Sequence, residues 1–236
     1  MLEWLLAPLS GAATHSLAPW AYWHARLMVL GWAVLLPVGV LVARFYKVTP
    51  RQDWPRQLDN KTWWHAHRGL QWAGVVAVAG GAAWAWGQGS AASSAASSAA
   101  QLHATLGWAL CAAALLQIVG GQLRGSKGGP TGEQMRGDHY DMTPRRRWFE
   151  RVHKGLGWLA LLASVLAIAL GLWVADAPRW MALALALWWL ALGIAFARLQ
   201  AAGRCIDTYQ AIWGPDRAHP GNALPQPGWG ARRPLG

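Results

Sequence analysis

The chain has 236 residues, of which 54% are hydrophobic and only 13% are charged; it carries 19 Trp and a formal net charge of +11. A soluble domain has about 25% charged residues, so this composition excludes an ordinary soluble protein and indicates a surface that largely faces lipid. The two cysteines, Cys111 and Cys205, are too widely spaced to form a zinc motif or a disulfide framework.

The N-terminal stretch MLEWLLAPLSG has no Lys or Arg before its apolar run. It therefore lacks the basic start of a secretory signal. We expect residues 1–20 to form a short extracytoplasmic segment ahead of the first membrane span.

Five apolar stretches follow, each near the length of about 20 residues that a helix needs to cross a bilayer. They are residues 22–46, 64–86, 101–123, 152–174 and 178–199. The Ser- and Ala-rich segment after Trp86 is predicted to be a linker, and the Gly-, Pro- and Arg-rich residues after Gly214 to be irregular. The sequence thus predicts an all-α membrane protein with a five-helix transmembrane domain over residues 21–200 and an irregular cytoplasmic tail over residues 201–236.

The Lys and Arg residues are distributed unevenly between the two sides of this predicted bundle. All but two of the 21, Arg26 and Arg179, lie between spans one and two, between spans three and four, or from the end of span five onwards. With five spans these regions share one side, which the positive-inside rule places in the cytoplasm, with the N-terminus outside. This topology accounts for the net charge through membrane lipid, and we expect no nucleic-acid partner.

Four of the eight histidines stand at the start of an apolar span, and each opens a His-x-x-Leu pattern. They are His24, His67, His103 and His153. A glycine follows each of them on the same helix face, seven residues on in the first two cases and four residues on in the others. These glycines are Gly31, Gly74, Gly107 and Gly157. The small residues leave room for a flat macrocycle beside each histidine.

Antiparallel packing places His24 and His103 at similar depth on the outer side, and His67 and His153 at similar depth on the cytoplasmic side. Electron-transfer haem takes two axial ligands, and helix bundles supply them from facing helices. The sequence therefore predicts two non-covalent, bis-His haems b. A single histidine near the end of a membrane helix is more often an interfacial residue; the prediction depends on four of them in register, each with a glycine on the same face. His67 fits the His-x-x-Leu and Gly pattern, whereas its neighbour His65 does not.

The remaining histidines and several basic residues have less distinctive positions. His15, His139 and His219 are expected in solvent-facing loops or the tail. Arg68, Arg151 and Lys154 are candidates for contacts with haem propionates or an anionic donor, or for charges that set topology. Arg26, close to His24, is a candidate contact for an outer propionate or an acceptor, with a lipid headgroup as the alternative.

With these residues in view, the chain resembles the cytochrome b561 superfamily, especially the membrane domain that is fused to DOMON domains. The matching stretches are residues 24–47, 63–71, 101–110 and 151–162. The resemblance implies one ligand histidine on each of four consecutive helices, paired alternately as above. No DOMON-like domain precedes the spans, so an outer redox partner is expected to be a separate chain.

The resemblance also implies a candidate donor site. Arg44 and Lys47, in VARFYK, are similar to a basic stretch that holds ascorbate in some members, although the preceding LLPVG departs from that motif. We expect a di-haem cytochrome that transfers electrons across the membrane between a cytoplasmic-side or quinone donor and an extracytoplasmic acceptor. The membrane is expected to be a bacterial inner membrane.

Other functions stay open at this stage. One alternative is a quinone- or superoxide-linked oxidoreductase that works at one haem edge, and another is an accessory subunit of a larger membrane redox complex. Enzyme activity, of the ferric or monodehydroascorbate reductase type, stays undecided, as does a homodimeric state. The fifth span has no histidine and is expected to serve packing or partner contact.

Overall fold

The computed structural model describes residues 1–12, 17–89, 97–124, 144–223 and 228–234. Within these ranges the regular structure is helical, and five helices have 23 residues or more. The helices are α1 (Leu2–Leu6), α2 (Pro19–Phe45), α3 (Thr62–Gly89), α4 (Ser98–Gln122), α5 (Pro144–Val174), α6 (Arg179–Ala201) and α7 (Gln210–Trp213), with a 3₁₀ turn at Pro220–Ala223. The prediction of an all-α protein is therefore confirmed.

Four of the long helices, α2, α4, α5 and α6, are long and apolar enough to cross a bilayer. The chain is accordingly an integral membrane protein. The predicted second span corresponds to α3, whose 28 residues extend about 42 Å at 1.5 Å per residue. Trp and Gly residues lower its mean hydropathy, so α3 has the length of a span without the apolarity of the other four.

Helix α5 begins at Pro144, eight residues before the expected start of the fourth span at Val152. A search for apolar stretches did not include these residues because four of the eight are arginines. Proline is favoured in the first turn of a helix, and Arg146 and Glu150 form an i,i+4 ion pair of 3.2 Å in the turns that follow. Polar contacts therefore extend the helix beyond its apolar part.

Helix α2 contains a π-helical segment, Val29–Leu35, immediately before Pro37. Proline has no N–H, so Pro37 cannot donate to the carbonyl of Ala33 four residues earlier. The indole Nε1 of Trp188 on α6 donates to that carbonyl at 2.7 Å. The Trp188 side chain thus satisfies the Ala33 carbonyl, which would otherwise lack a hydrogen-bond donor in an apolar environment.

The chain divides into two compact units. The first comprises Met1–Pro37, Gln71–Ile118 and Leu156–Gly193. Its core contains large side chains, such as Trp32, Leu36 and Leu110, and small ones, such as Ala114 and Ala160. Small residues on several helices let backbones approach closely, as is typical of membrane helix packing.

Gly31 and Gly74 are sites of this close approach within the first unit. A Cβ at Gly31 would lie 2.7 Å from Val78 Cγ2 and 2.9 Å from the carbonyl oxygen of Gly74, and a Cβ at Gly74 would lie 2.8 Å from Leu36 Cδ2. The space expected for a macrocycle beside these two glycines is therefore filled by the neighbouring helix, α3 in one case and α2 in the other.

The second unit comprises Val38–Leu70, Val119–Gly155 and Ile194–Gly236. Its buried side chains include Phe45, Cys205, Asp207 and Gln210. The residues after Ala201, expected to be an irregular tail, thus include a buried segment with one short helix. Single polar contacts hold it, such as Trp213 Nε1 donating to Asn222 Oδ1 at 2.9 Å, and such contacts leave no periodic pattern in the sequence.

Candidate functional site

The first unit brings together His24 of α2 and His103 of α4. The centres of their imidazole rings lie 6.1 Å apart, and the ring planes are nearly perpendicular at 81°. The two residues are 79 positions apart in the sequence and stand on different helices, so the packing of α2 and α4 is what places the rings side by side.

Both rings are oriented by backbone carbonyls. The Nδ1 of His24 lies 2.9 Å from the oxygen of Gly81, and the Nδ1 of His103 lies 2.9 Å from the oxygen of Ala167. A carbonyl can only accept, so each Nδ1 carries the proton and donates it. The lone pair of each neutral ring is then on Nε2. A hydrogen bond of this kind is usual for a histidine that binds a metal through its other nitrogen.

The separation of the two rings fits a metal ion held between them. Two metal–nitrogen bonds of about 2 Å, with about 1 Å from each nitrogen to its ring centre, place the centres about 6 Å apart. No group of three or more His, Cys, Asp or Glu side chains with metal-binding geometry occurs in the ranges that the structure describes. The ring separation of 6.1 Å and the two Nδ1 hydrogen bonds fit a two-ligand site of the haem type.

Glycines shape the space around His103. A Cβ at Gly171 of α5 would lie 2.9 Å from His103 Cε1 and 3.3 Å from its Nδ1, so a larger residue there would displace the ring. Among the described residues, nothing lies within 4 Å of the Cβ position of Gly107, one turn after His103. Gly157, one turn after His153, has Gln117 Nε2 at 3.1 Å from its Cβ position. Open space beside Gly107 suits a flat group. The sequence pattern missed Gly171 because it lies on a neighbouring helix.

The second unit contains His67 and His153. His67 is partly buried, and its Nδ1 donates to the carbonyl of Gly39 at 2.9 Å, so its Nε2 also holds the lone pair. His65 is exposed. The ring of His153 packs on Phe149 with centres 5.1 Å apart, and His67 and His153 are close enough to interact electrostatically.

Arg124 is a basic residue of this second site that the sequence patterns did not single out. Its guanidinium lies 3.9 Å from the ring centre of Trp64, and it acts electrostatically on both His67 and His153. Arg68, which was singled out, lies 5.8 Å from the ring centre of Trp64. Arg124 directly follows the predicted third span. Its position at the end of a span is the sequence feature that could have identified it as a candidate.

Residues 23–124 match the family model for eukaryotic cytochrome b561. This part of the chain is similar to the cytochrome b561 family. No curated protein and no solved structure gives a significant match. This similarity points to transmembrane electron transfer, and members of the cytochrome b561 family bind haem b. The match includes His24, His67 and His103 and ends before His153.

The cytochrome b561 match also bears on localisation. The family model that matches is described as eukaryotic. The expectation of a bacterial inner membrane therefore has no support from this comparison, whereas an integral membrane location agrees with the four apolar helices.

Glu150 lies outside the cytochrome b561 match and one turn before His153 on α5. It accepts hydrogen bonds from Arg146 and Lys154, both at 3.2 Å, and from the hydroxyl of Tyr209. Burial raises the pKa of Tyr209, and the Glu150 charge adds to this effect, so the phenol stays protonated. Lys154, a candidate for a propionate or donor contact or for a charge that sets topology, is paired with Glu150.

Three other basic candidates, Arg26, Arg44 and Lys47, contact protein groups. Arg44 and Lys47 contact the C-terminal residues, as described below. Arg26 is exposed on α2, and its guanidinium lies 5.2 Å from the ring centre of Trp23. His219, expected to face solvent, is half-buried and stacks on Trp213 with ring centres 4.7 Å apart. His15 and His139 lie outside the described residues.

Proposed function

We propose that this chain is a di-haem b-type cytochrome of the cytochrome b561 family that transfers electrons across the membrane. The donor is a cytoplasmic-side molecule or a quinone, and the acceptor is extracytoplasmic. The observation that carries the proposal is the pair His24 and His103, with ring centres 6.1 Å apart and both Nδ1 atoms bonded to carbonyls.

The chain's own residues perform two tasks in this proposal, orienting the ligand rings and binding the metal. Carbonyls of Gly81 and Ala167 hold the His24 and His103 rings and leave their Nε2 atoms to bind iron. Ligation by two histidines would leave no open position for oxygen or substrate at the metal, which suits electron transfer. The bound haem would supply the one-electron chemistry.

His67 and His153 are the proposed ligands of a second haem in the other unit. Support comes from the Nδ1 bond of His67 to Gly39 and from the electrostatic proximity of the two rings. Arg124 and Arg68, beside Trp64, supply positive charge that suits propionates. Lys154 is a weaker candidate because Glu150 already neutralises it.

The proposed topology has five spans, with α3 as the second. Its length supports this assignment, and its tryptophans suit the membrane interfaces, where Trp is enriched. Five spans place nearly all Lys and Arg residues on the side of the C-terminus, which the positive-inside rule assigns to the cytoplasm.

Transfer across the membrane is tested in vesicles that contain the purified protein. A reduced, membrane-impermeant viologen is trapped inside, and ferricyanide is added outside. We expect viologen oxidation at least tenfold faster than in protein-free vesicles, and a return to the protein-free rate in His103→Ala. Haem reduction by the trapped viologen without any oxidation by external ferricyanide would contradict the proposal.

A quinone-linked oxidoreductase is the second candidate, and one feature favours it. A mainly apolar cleft of about 410 Å³ adjoins Phe149, the residue that packs on His153. Its lining residues are Gly120, Leu123, Arg145, Trp148, Phe149 and Val152. Rapid haem reduction by a short-chain quinol, slowed at least tenfold in Gly120→Leu, would support this function.

A further inference from the structure

The C-terminal residues 204–223 and 228–234, named here the C-terminal cover, contact the two basic residues of the candidate donor site. Lys47 Nζ donates to the carbonyl of Ile206 at 3.0 Å. A guanidinium nitrogen of Arg44 donates to the carbonyl of Trp229 at 3.0 Å. Both cations of the site therefore have acceptors from the cover.

Arg44 is further enclosed by neighbouring side chains. Its guanidinium carbon lies 5.2 Å from the ring centre of Phe196 and 5.1 Å from that of Trp229. The same guanidinium donates to Gln200 Oε1 at 2.9 Å, and Gln200 Nε2 donates to the carbonyl of Gly230 at 2.8 Å. Aromatic faces and amide groups thus occupy the positions around this cation.

A buried ion pair closes the cover on itself. Arg233 Nε lies 2.6 Å from Asp207 Oδ2, and the two side chains are only 5% and 2% exposed. Arg204 also donates to the carbonyl of Val48 at 2.6 Å, which ties the start of the cover to the residues after α2. Removing one partner of a buried pair leaves an uncompensated charge, so Asp207 is the point at which the cover is most easily opened.

The site beneath the cover is electropositive. The pKa of Lys47 is lowered to about 8, chiefly by burial; the charges of Lys154 and Arg44 act in the same direction, and those of Cys205 and Asp207 oppose them. An anion that reached Lys47 and Arg44 would therefore be bound favourably. In the closed arrangement, carbonyl oxygens of the cover take the place that the oxygens of such an anion would occupy.

We propose that the C-terminal cover excludes small organic anions from Arg44 and Lys47, so that a small anionic reductant does not reach this end of the protein while the cover is closed. The consequence of this exclusion, which is the choice of electron donor, rests on the proposed function. The physical content of the proposal, the exclusion of anions, is independent of haem.

Acylation of Lys47 by acetic anhydride at pH 8, measured by mass spectrometry, tests the exclusion directly. Lys61, 61% exposed, serves as the internal reference. We expect Asp207→Asn to raise Lys47 acylation at least tenfold relative to Lys61, and millimolar ascorbate to suppress that increase. Asp216→Asn, the same change at an exposed position of the cover, should leave acylation as in the unaltered protein. Trp229→Ala provides a second way to open the cover if Asp207→Asn does not fold.

Stopped-flow reduction by ascorbate, in which each ascorbate gives one electron, supplies the functional readout. We expect Asp207→Asn to be reduced at least tenfold faster than the unaltered protein, with saturation in ascorbate, and Arg44→Gln in that background to reverse the gain. Ready acylation of Lys47 in the unaltered protein, or exposure of Lys47 without protection by ascorbate, would overturn the proposal. A protein that lacks haem but gives the expected acylation pattern would refute the proposed function and leave the cover intact.

Discussion

His24 and His67 are each oriented by the helix that carries the other. His24 stands on α2 and donates to the carbonyl of Gly81 on α3, whereas His67 stands on α3 and donates to the carbonyl of Gly39 on α2. The two bonds have the same length, 2.9 Å. Each of these bonds lies within one of the two units, so each ring is oriented by the contact of α2 with α3 inside its own unit.

Gly171→Ala is expected to weaken haem binding at the His24–His103 site by about 10–100-fold, the usual effect of disturbing a group that orients a metal ligand. The added Cβ would lie 2.9 Å from His103 Cε1, and the ring would have to leave its bond to Ala167. Haem retained per chain after gel filtration measures the effect. Gly193→Ala is the matched control because nothing lies within 4 Å of its Cβ position. Equal haem content in the two variants would show that Gly171 has no such role.

The positions of the candidate histidines near helix starts were predictable because each histidine directly precedes an apolar run in the sequence. Their orienting partners were not, because a carbonyl acceptor such as Ala167 carries no side-chain signal and is selected by the rotation of its helix. The roles of the glycines were hard to predict for the same reason. Gly31 and Gly74 repeat in register with histidines but serve contact between helices, whereas Gly171 lies on another helix with no sequence relation to His103.

The buried C-terminal segment could not be predicted from the pattern of apolar residues. Apolar periodicity identifies helices that pack through one face, but Asp207 and Gln210 are buried through single hydrogen bonds and an ion pair. Composition alone made this segment look irregular. Burial of an Asp requires a partner of opposite charge, and here that partner, Arg233, lies 26 residues later.

Trp188→Phe is expected to lower stability by about 1 kcal/mol, the usual net value of one hydrogen bond. The indole N–H that bonds the Ala33 carbonyl is lost, and Pro37 cannot replace it. Thermal unfolding in detergent should show a Tm lower by about 2–4 °C. Trp180→Phe, at a position 44% exposed, is the comparison. A larger loss in Trp180→Phe would show that the Trp188 bond is not a significant support of α2.

Lys47 is expected to titrate near pH 8. Burial is the largest cause of its lowered pKa, from the usual 10.5 to about 8. Between pH 8 and 10.5 the unfolded chain binds more protons at Lys47 than the folded chain does. The contribution of Lys47 to stability therefore rises as pH increases from about 8 to about 10.5, and it does not change with pH below about 8. The initial rate of Lys47 acylation against pH should therefore have its midpoint near 8. A midpoint near 10.5 would mean that Lys47 is solvated.

Arg124→Gln is expected to lower the midpoint potential of the haem at His67 and His153 by roughly 20–60 mV. A nearby positive charge favours the reduced form, and its loss is worth about 0.5–1.4 kcal/mol at protein-surface dielectric values. Spectroscopic redox titration measures the shift. Arg56→Gln, at an 87% exposed side chain, should leave both potentials unchanged. A shift of the same size in Arg56→Gln would indicate a general charge effect and no specific role for Arg124.

Haem content of single-histidine variants tests the central claim most directly. The purified protein should contain two haems b per chain, measured as the pyridine haemochrome, with low-spin b-type bands in the dithionite-reduced minus oxidised spectrum. His103→Ala and His67→Ala should each retain one haem, and His65→Ala should retain both. Two haems in His103→Ala, or none in the unaltered protein, would contradict ligation by paired histidines.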